Sequence, residues 1–181
     1  MGNKRKKRIK DTVYIAMFAA VISVCSLIYV PFAVPFTMQT FAVFLALFSA
    51  GGKRGTFAIL TYIAIGLAGM PVFSGFMGGV SALFGATGGY IIGFVFAALI
   101  YWLFEKLFGK SEKTAAVSAL VGMTICYIFG SLWYAFVFSG GTGEAGFFAA
   151  FAQCVLPFIL PDLAKLALAF FVKRRIEKYI N

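Results

Sequence analysis

The 181-residue chain contains no histidine, which removes imidazole acid–base chemistry and imidazole metal ligation in one step. Acidic residues are also scarce, six against sixteen Lys and Arg. Only Asp162 lies inside a long apolar run, so an aspartic dyad within the membrane is excluded. There is no P-loop, and no Ser, Thr or Cys has a candidate base beside it in the sequence. An enzyme is not expected, no catalytic or metal site is assigned, and energy for any transport must come from another protein. The three cysteines, Cys25, Cys126 and Cys154, stand singly in apolar sequence without metal or redox spacing and are read as packing residues.

What the chain has in excess is apolar surface: 62% hydrophobic against 12% charged, with a mean hydropathy of +0.96. Soluble domains sit near ~45–50% apolar and ~25% charged. The composition therefore specifies an all-α polytopic membrane protein, expected as a single integral domain over residues 1–181. Basic segments flank it at 1–11 and 173–181 and are expected in the cytoplasm. The basic start followed by an apolar run has the outline of a signal peptide, but Val13 to Val30 is long and no small-residue cleavage site follows, so a retained first span is expected. The net charge of +10 does not point to nucleic acid, because the basic residues flank apolar segments instead of alternating with exposed aromatics.

A membrane helix needs about 20 mostly apolar residues. The charge-free stretch from Thr12 to Gly52 is divided by Pro31 and Pro35, giving spans at 12–30 and 38–51, the second of them short. Lys53 and Arg54 form a charged turn before a third, short span at 56–68. Gly69 to Gly88 holds too many breakers for a continuous helix and reads as a loop or re-entrant segment. Further spans follow at 89–107, 115–138 and 147–172, the last broken or kinked by Pro157 and Pro161. In this six-span scheme every Lys and Arg except Lys165 falls on one side, and the positive-inside rule places both termini in the cytoplasm.

Lys165 and Asp162 are three residues apart in Pro161-Asp-Leu-Ala-Lys165, on one face of a helix within the last span. A charge at membrane depth costs on the order of 2.5–3.5 kcal/mol unless it is paired or faces a polar cavity. The two can hold each other, or clasp a ligand that carries both hydrogen-bond donors and a negative group. Snorkelling is the structural alternative, yet Lys165 lies about 12 Å from Lys173 at ~1.5 Å per residue, at the far limit of that side chain's reach. The glycine run around Gly75, Gly78 and Gly79 and the Gly88-Gly89-Tyr90 sequence permit close backbone approach to a ligand, whereas Gly66 and Gly93 are read as helix packing. Ala16 and Ala20 form a small-residue strip on the first span, a pattern that also arises by chance.

Four motifs together resemble the BioY family: Pro35-Phe-Thr-Met-Gln39-Thr40, Gly69-Met-Pro71-Val-Phe73, Gly85-Ala-Thr-Gly88-Gly89-Tyr90-Ile-Ile-Gly93-Phe94 and Leu160-Pro161-Asp162-Leu-Ala-Lys165. They occur in the family's order and cover Ala16 to about Lys165. The family comprises the biotin-binding S components of energy-coupling-factor (ECF) transporters, and the resemblance implies a six-helix bundle in the plasma membrane of a prokaryote. It implies capture of extracellular biotin in a loop-covered pocket of the outer half, with no cofactor. The implied partners are a transmembrane coupling protein and two cytoplasmic ATPases, beside the lipid bilayer and without nucleic acid. By similarity Asp162 and Lys165 form the paired polar site, and Gly88, Gly89 and Tyr90 form a pocket wall. Gln39, Thr40 and Phe73 have chemistry suited to biotin's ureido ring, apolar thiophane ring and carboxylate, while Ala16 and Ala20 match the strip that contacts the coupling protein. The chain has no basic residue between Gly55 and Lys106, which leaves Lys165 as its sole intramembrane cation. An S component for another vitamin and a solute-free membrane scaffold are the competing functions.

Overall fold

The computed structural model describes residues 2–32, 34–138 and 147–180. Helix α1 (Gly2–Ser26) leads into a two-stranded antiparallel ribbon, β1 (Tyr29–Val30) paired with β2 (Phe36–Thr37), and then α2 (Gln39–Leu67). Two tight turns, Ser74–Phe76 and Val80–Phe84, precede α3 (Gly88–Phe108) and α4 (Glu112–Trp133), which ends in a wider helical turn at Tyr134–Phe138. α5 (Phe147–Cys154), a turn at Leu156–Phe158 and α6 (Ile159–Ile180) complete the chain. Among the described residues five helices are long and apolar enough to cross a membrane, at Lys4–Ser26, Gln39–Leu67, Gly88–Phe108, Glu112–Val137 and Ala150–Lys178.

The sequence expectation of separate spans at 38–51 and 56–68 meets α2, one continuous element by its hydrogen bonding that nevertheless contains a reversal. Gly51 has φ +82° and ψ 165°, outside helical geometry and in a region that favours glycine. Gln39 Nε2 donates to the Tyr62 hydroxyl at 3.1 Å, although 23 residues of straight helix would span about 34 Å. A Cβ on Gly55 would lie 3.0 Å from Leu47 Cα. α2 is thus two arms, 39–50 and 52–67, folded back on each other. Ala42 through Phe48 on the first arm are buried without a break, as expected for a helix that is apolar all round.

Three helices pack on α2. α1 lies against α2 with Phe18, Ala19 and Ile22 inward, while α2 also touches α3 and α6. α3 and α4 pack most extensively, because glycines let their backbones meet: Gly93 faces Cys126, Gly89 faces Trp133 and Gly130, and Gly122 faces Ala97. At the far end of the last apolar stretch the helix breaks after Cys154, with Pro157 in the break and Pro161 in the first turn of α6, where a missing N–H needs no partner.

Charges collect at one end of the bundle. Arg54, just past the reversal, pairs with Asp11 of α1. Glu105 near the end of α3 accepts from the Gly52 N–H and pairs with Lys110 at 3.0 Å, so a carboxylate caps the start of the second arm. Arg174 of α6 pairs with Glu112 at the start of α4. The basic segments 1–11 and 173–181 belong to helical extensions of α1 and α6 within the described residues. Glu144 lies outside the described residues.

Candidate functional site

The first turn of α6 starts right after the break, so Asp162 sits at a helix N-terminus, where a negative charge is favoured. One turn on, Lys165 projects from the same face. Asp162 and Lys165 are 5% and 6% exposed, too buried to remain charged without partners, and both are partnered. Lys165 Nζ donates to Asp162 Oδ1 at 2.8 Å and to the Thr37 carbonyl at 2.6 Å, and lies over the Phe36 ring. Tyr127 of α4 donates its hydroxyl to Asp162 Oδ2 at 2.7 Å. One ion pair therefore ties α6, α4 and the ribbon together, and removing either charge would leave the other buried at a cost of about 3–5 kcal/mol. Lys165 does not snorkel.

The pair forms one wall of a narrow cavity of about 60 Å³, small beside the ~300–1,000 Å³ usual for small-molecule sites. The ribbon covers it with Pro35, Phe36 and Thr37; Gln39, Thr40 and Phe44 enter from α2, Tyr90, Ile91 and Phe94 from α3, and Met123 and Tyr127 from α4. Phe158, between α5 and α6, stacks on Phe36 with ring centres 5.8 Å apart and meets Phe32 edge-on. The lining is mostly apolar, with a few polar groups held by partners. Gln39 donates through its side chain to Tyr62, and its backbone N–H donates to Thr37 Oγ1 at 3.2 Å. The Tyr90 hydroxyl donates to the Cys154 carbonyl at 3.3 Å.

Of the site residues expected from the sequence, Asp162, Lys165, Gln39, Thr40 and Tyr90 come together around this cavity. Phe73, Gly88 and Gly89 do not line it. Phe73 is fully buried, edge-on to Tyr62 at 5.5 Å, and its ring fills the space beside Gly66 where a side chain would otherwise stand. A Cβ on Gly88 would strike the Leu83 carbonyl, and one on Gly89 would strike Trp133, so these glycines serve backbone packing. Their chain neighbours Ser74 and Thr87 line the cavity in their place. Cys126 and Cys154, expected only as packing residues, are buried and also form part of the wall. Ala16 and Ala20 are exposed on the outer face of α1 and line no part of the cavity.

Tyr127, Phe36 and Thr37 surround the Asp162–Lys165 pair and are residues the sequence did not single out. Phe36 and Thr37 lie inside the Pro35-to-Thr40 motif, where their closeness to Gln39 was the available signal. Tyr127 is one aromatic residue in an apolar helix and carries no signal until α4 is placed against α6.

The sequence pattern of the BioY family matches residues 2–181. The chain is 39% identical over 170 residues to the probable biotin transporter BioY of Pyrococcus horikoshii, covering 93% of this chain and 96% of that protein. It is 36% identical over 165 residues to the biotin transporter BioY of Thermotoga maritima, covering 90% and 92%. The fold superposes with a TM-score of 0.82 and 27% identity on the crystal structure of the S-component for biotin from an ECF-type ABC transporter, covering 98% of this chain and 95% of the other. Matched over nearly its full length in both sequence and fold, the chain belongs to the BioY family.

Proposed function

We propose that this protein is the biotin-binding S component of an ECF-type transporter, a carrier subunit and not an enzyme, and that it takes biotin into the Asp162 cavity. The observation that carries this is the buried Asp162 carboxylate, fixed by Lys165 on one oxygen and Tyr127 on the other. Each carboxylate oxygen can accept a further hydrogen bond, which suits the two N–H donors of a ureido ring. The mostly apolar lining of the cavity suits a thiophane ring and an alkyl chain. Of the expected contacts, Asp162, Lys165, Gln39, Thr40 and Tyr90 are in position for this role, with Phe73, Gly88 and Gly89 acting behind the wall.

The fold is read as six crossings with both termini in the cytoplasm. In support, the reversal at Gly51 divides α2 into two passes, and the basic residues of α1, the α2 tip, the α3–α4 turn and α6 collect at one end, which the positive-inside rule assigns to the cytoplasm. Gln39 and Asp162 stand at the opposite ends of their helices from those charges, so the cavity belongs to the outer half. As an S component the protein works in a prokaryotic plasma membrane with a coupling protein and two ATPases, and the exposed Ala16–Ala20 strip offers the partner a flat surface. Equilibrium binding of biotin to the purified protein in detergent tests the assignment, with desthiobiotin and an unrelated vitamin as controls. Saturable biotin binding is expected. Preference for the other vitamin, or binding of neither, overturns it.

A further inference from the structure

Two hydroxyls that line the cavity have no partner among the described residues. They belong to Ser74, which is 4% exposed, and Thr87, which is 9% exposed. A buried hydroxyl without a partner is unfavourable. Thr87 is also the N-cap of the 21-residue helix α3, with φ −91° and ψ −9°, yet its side chain does not cap that helix. Threonine at this position ordinarily accepts from a backbone N–H of the first turn. Ser74 follows Phe73, whose ring is locked against Gly66 and Tyr62, so its backbone is fixed.

Among the cavity's other polar groups, the charged pair, both tyrosines and Gln39 already have partners. Lys165 donates to Asp162 and Thr37 and lies over Phe36, Tyr127 donates to Asp162, Tyr90 to Cys154 and Gln39 to Tyr62. Asp162 itself repels an anion, and no second cation lines the cavity among the described residues. The start of α3 carries the positive end of a helix dipole, which favours a negative group.

We infer that Ser74 and Thr87 bind the carboxylate of the ligand at the N-terminus of α3, while Asp162 receives its N–H donors and Lys165 is a positioning residue that holds Asp162 and the ribbon. This rests on the biotin assignment above and adds the location of the ligand's acidic end.

The test compares biotin with its neutral amide, biotinamide, on wild-type protein, Ser74→Ala, Thr87→Val, the double variant and Lys165→Ala, each in detergent. Each hydroxyl deletion is expected to weaken biotin by about ten-fold and biotinamide far less, and the double variant is expected to lose the preference for biotin. Lys165→Ala is expected to weaken both ligands by the same factor. The ligand-free melting temperatures of Ser74→Ala and Thr87→Val should hold or rise, since an unpartnered buried hydroxyl has been removed; a clear fall means the hydroxyls are structural and overturns the inference. Equal losses for the two ligands, or unchanged biotin affinity, overturn it too. If wild-type protein binds neither ligand the biotin assignment fails and takes this inference with it, whereas wild-type binding with unaffected variants removes the hydroxyl subsite alone.

Discussion

Lys165 Nζ stands 3.5 Å above the centre of the Phe36 ring, so the ammonium that neutralises Asp162 also fastens the β1–β2 ribbon across the cavity. Phe158, between α5 and α6, stacks on the same ring.

Phe36→Ala removes that fastening without touching the Asp162–Lys165 pair. A desolvated cation–π contact is worth up to about 2 kcal/mol and an aromatic pair about 0.5–1.5 kcal/mol. Biotin release should accelerate by roughly ten-fold or more, with association little changed. Chase experiments with labelled biotin measure this, and an unaltered release rate would show that the ribbon is not what retains the ligand.

Asp162→Asn should weaken biotin by roughly ten- to a hundred-fold, the worth of about 1.5–3 kcal/mol for hydrogen bonds to a charged group. Tyr127→Phe should lose less, about three- to ten-fold, since it removes one hydrogen bond that orients the carboxylate and leaves the acceptor in place. Titration of both variants gives the comparison. A larger loss for Tyr127→Phe than for Asp162→Asn would reverse the assigned roles.

Membrane topology can be tested without any ligand. In a background lacking Cys25, Cys126 and Cys154, cysteines placed beside Lys53 or Lys110 should react only with reagents that reach the cytoplasm. One placed near Glu144 should be labelled from outside. Labelling of both sets from one side excludes six crossings.

Replacing Ala16 or Ala20 by Leu adds bulk to an exposed strip of α1 remote from the cavity. Biotin affinity of the isolated protein should be retained. Co-purification with the coupling protein and ATPases, and ATP-dependent uptake, should fall. The strip has no docking role if co-purification is intact, or if it declines in parallel with biotin affinity.

Asp162 and Lys165 were legible from sequence because a buried charge is costly enough to be informative wherever it occurs. Gln39, Thr40 and Tyr90 were legible as polar or amphipathic positions inside recognisable motifs. Phe73 stands outside the cavity lining for a physical reason: its aromatic side chain suits a pocket and a core equally, and the glycine at Gly66 that makes room for it lies on a different segment. Gly88 and Gly89 were legible only as positions of close backbone approach, which does not reveal whether the approaching group is a ligand or the Leu83 carbonyl and Trp133 side chain. Lys53 and Arg54 announced a turn near the middle of α2, but the turn itself is made by Gly51, whose positive φ only coordinates reveal.

The shortness of the α2 arms reaches beyond the bundle. At ~1.5 Å per residue the arms 39–50 and 52–67 measure about 18 Å and 24 Å, against a hydrocarbon slab of about 30 Å. The missing thickness beside them falls to the ribbon and the 69–87 segment, which turn Phe32, Met70, Phe76 and Phe84 outward. Irregular backbone at such a depth survives only where protein or a cavity shields it. On the six-crossing reading proposed above, these side chains would meet acyl chains while the roof's backbone stays turned onto protein and cavity, which would tie closure of the roof to bilayer thickness.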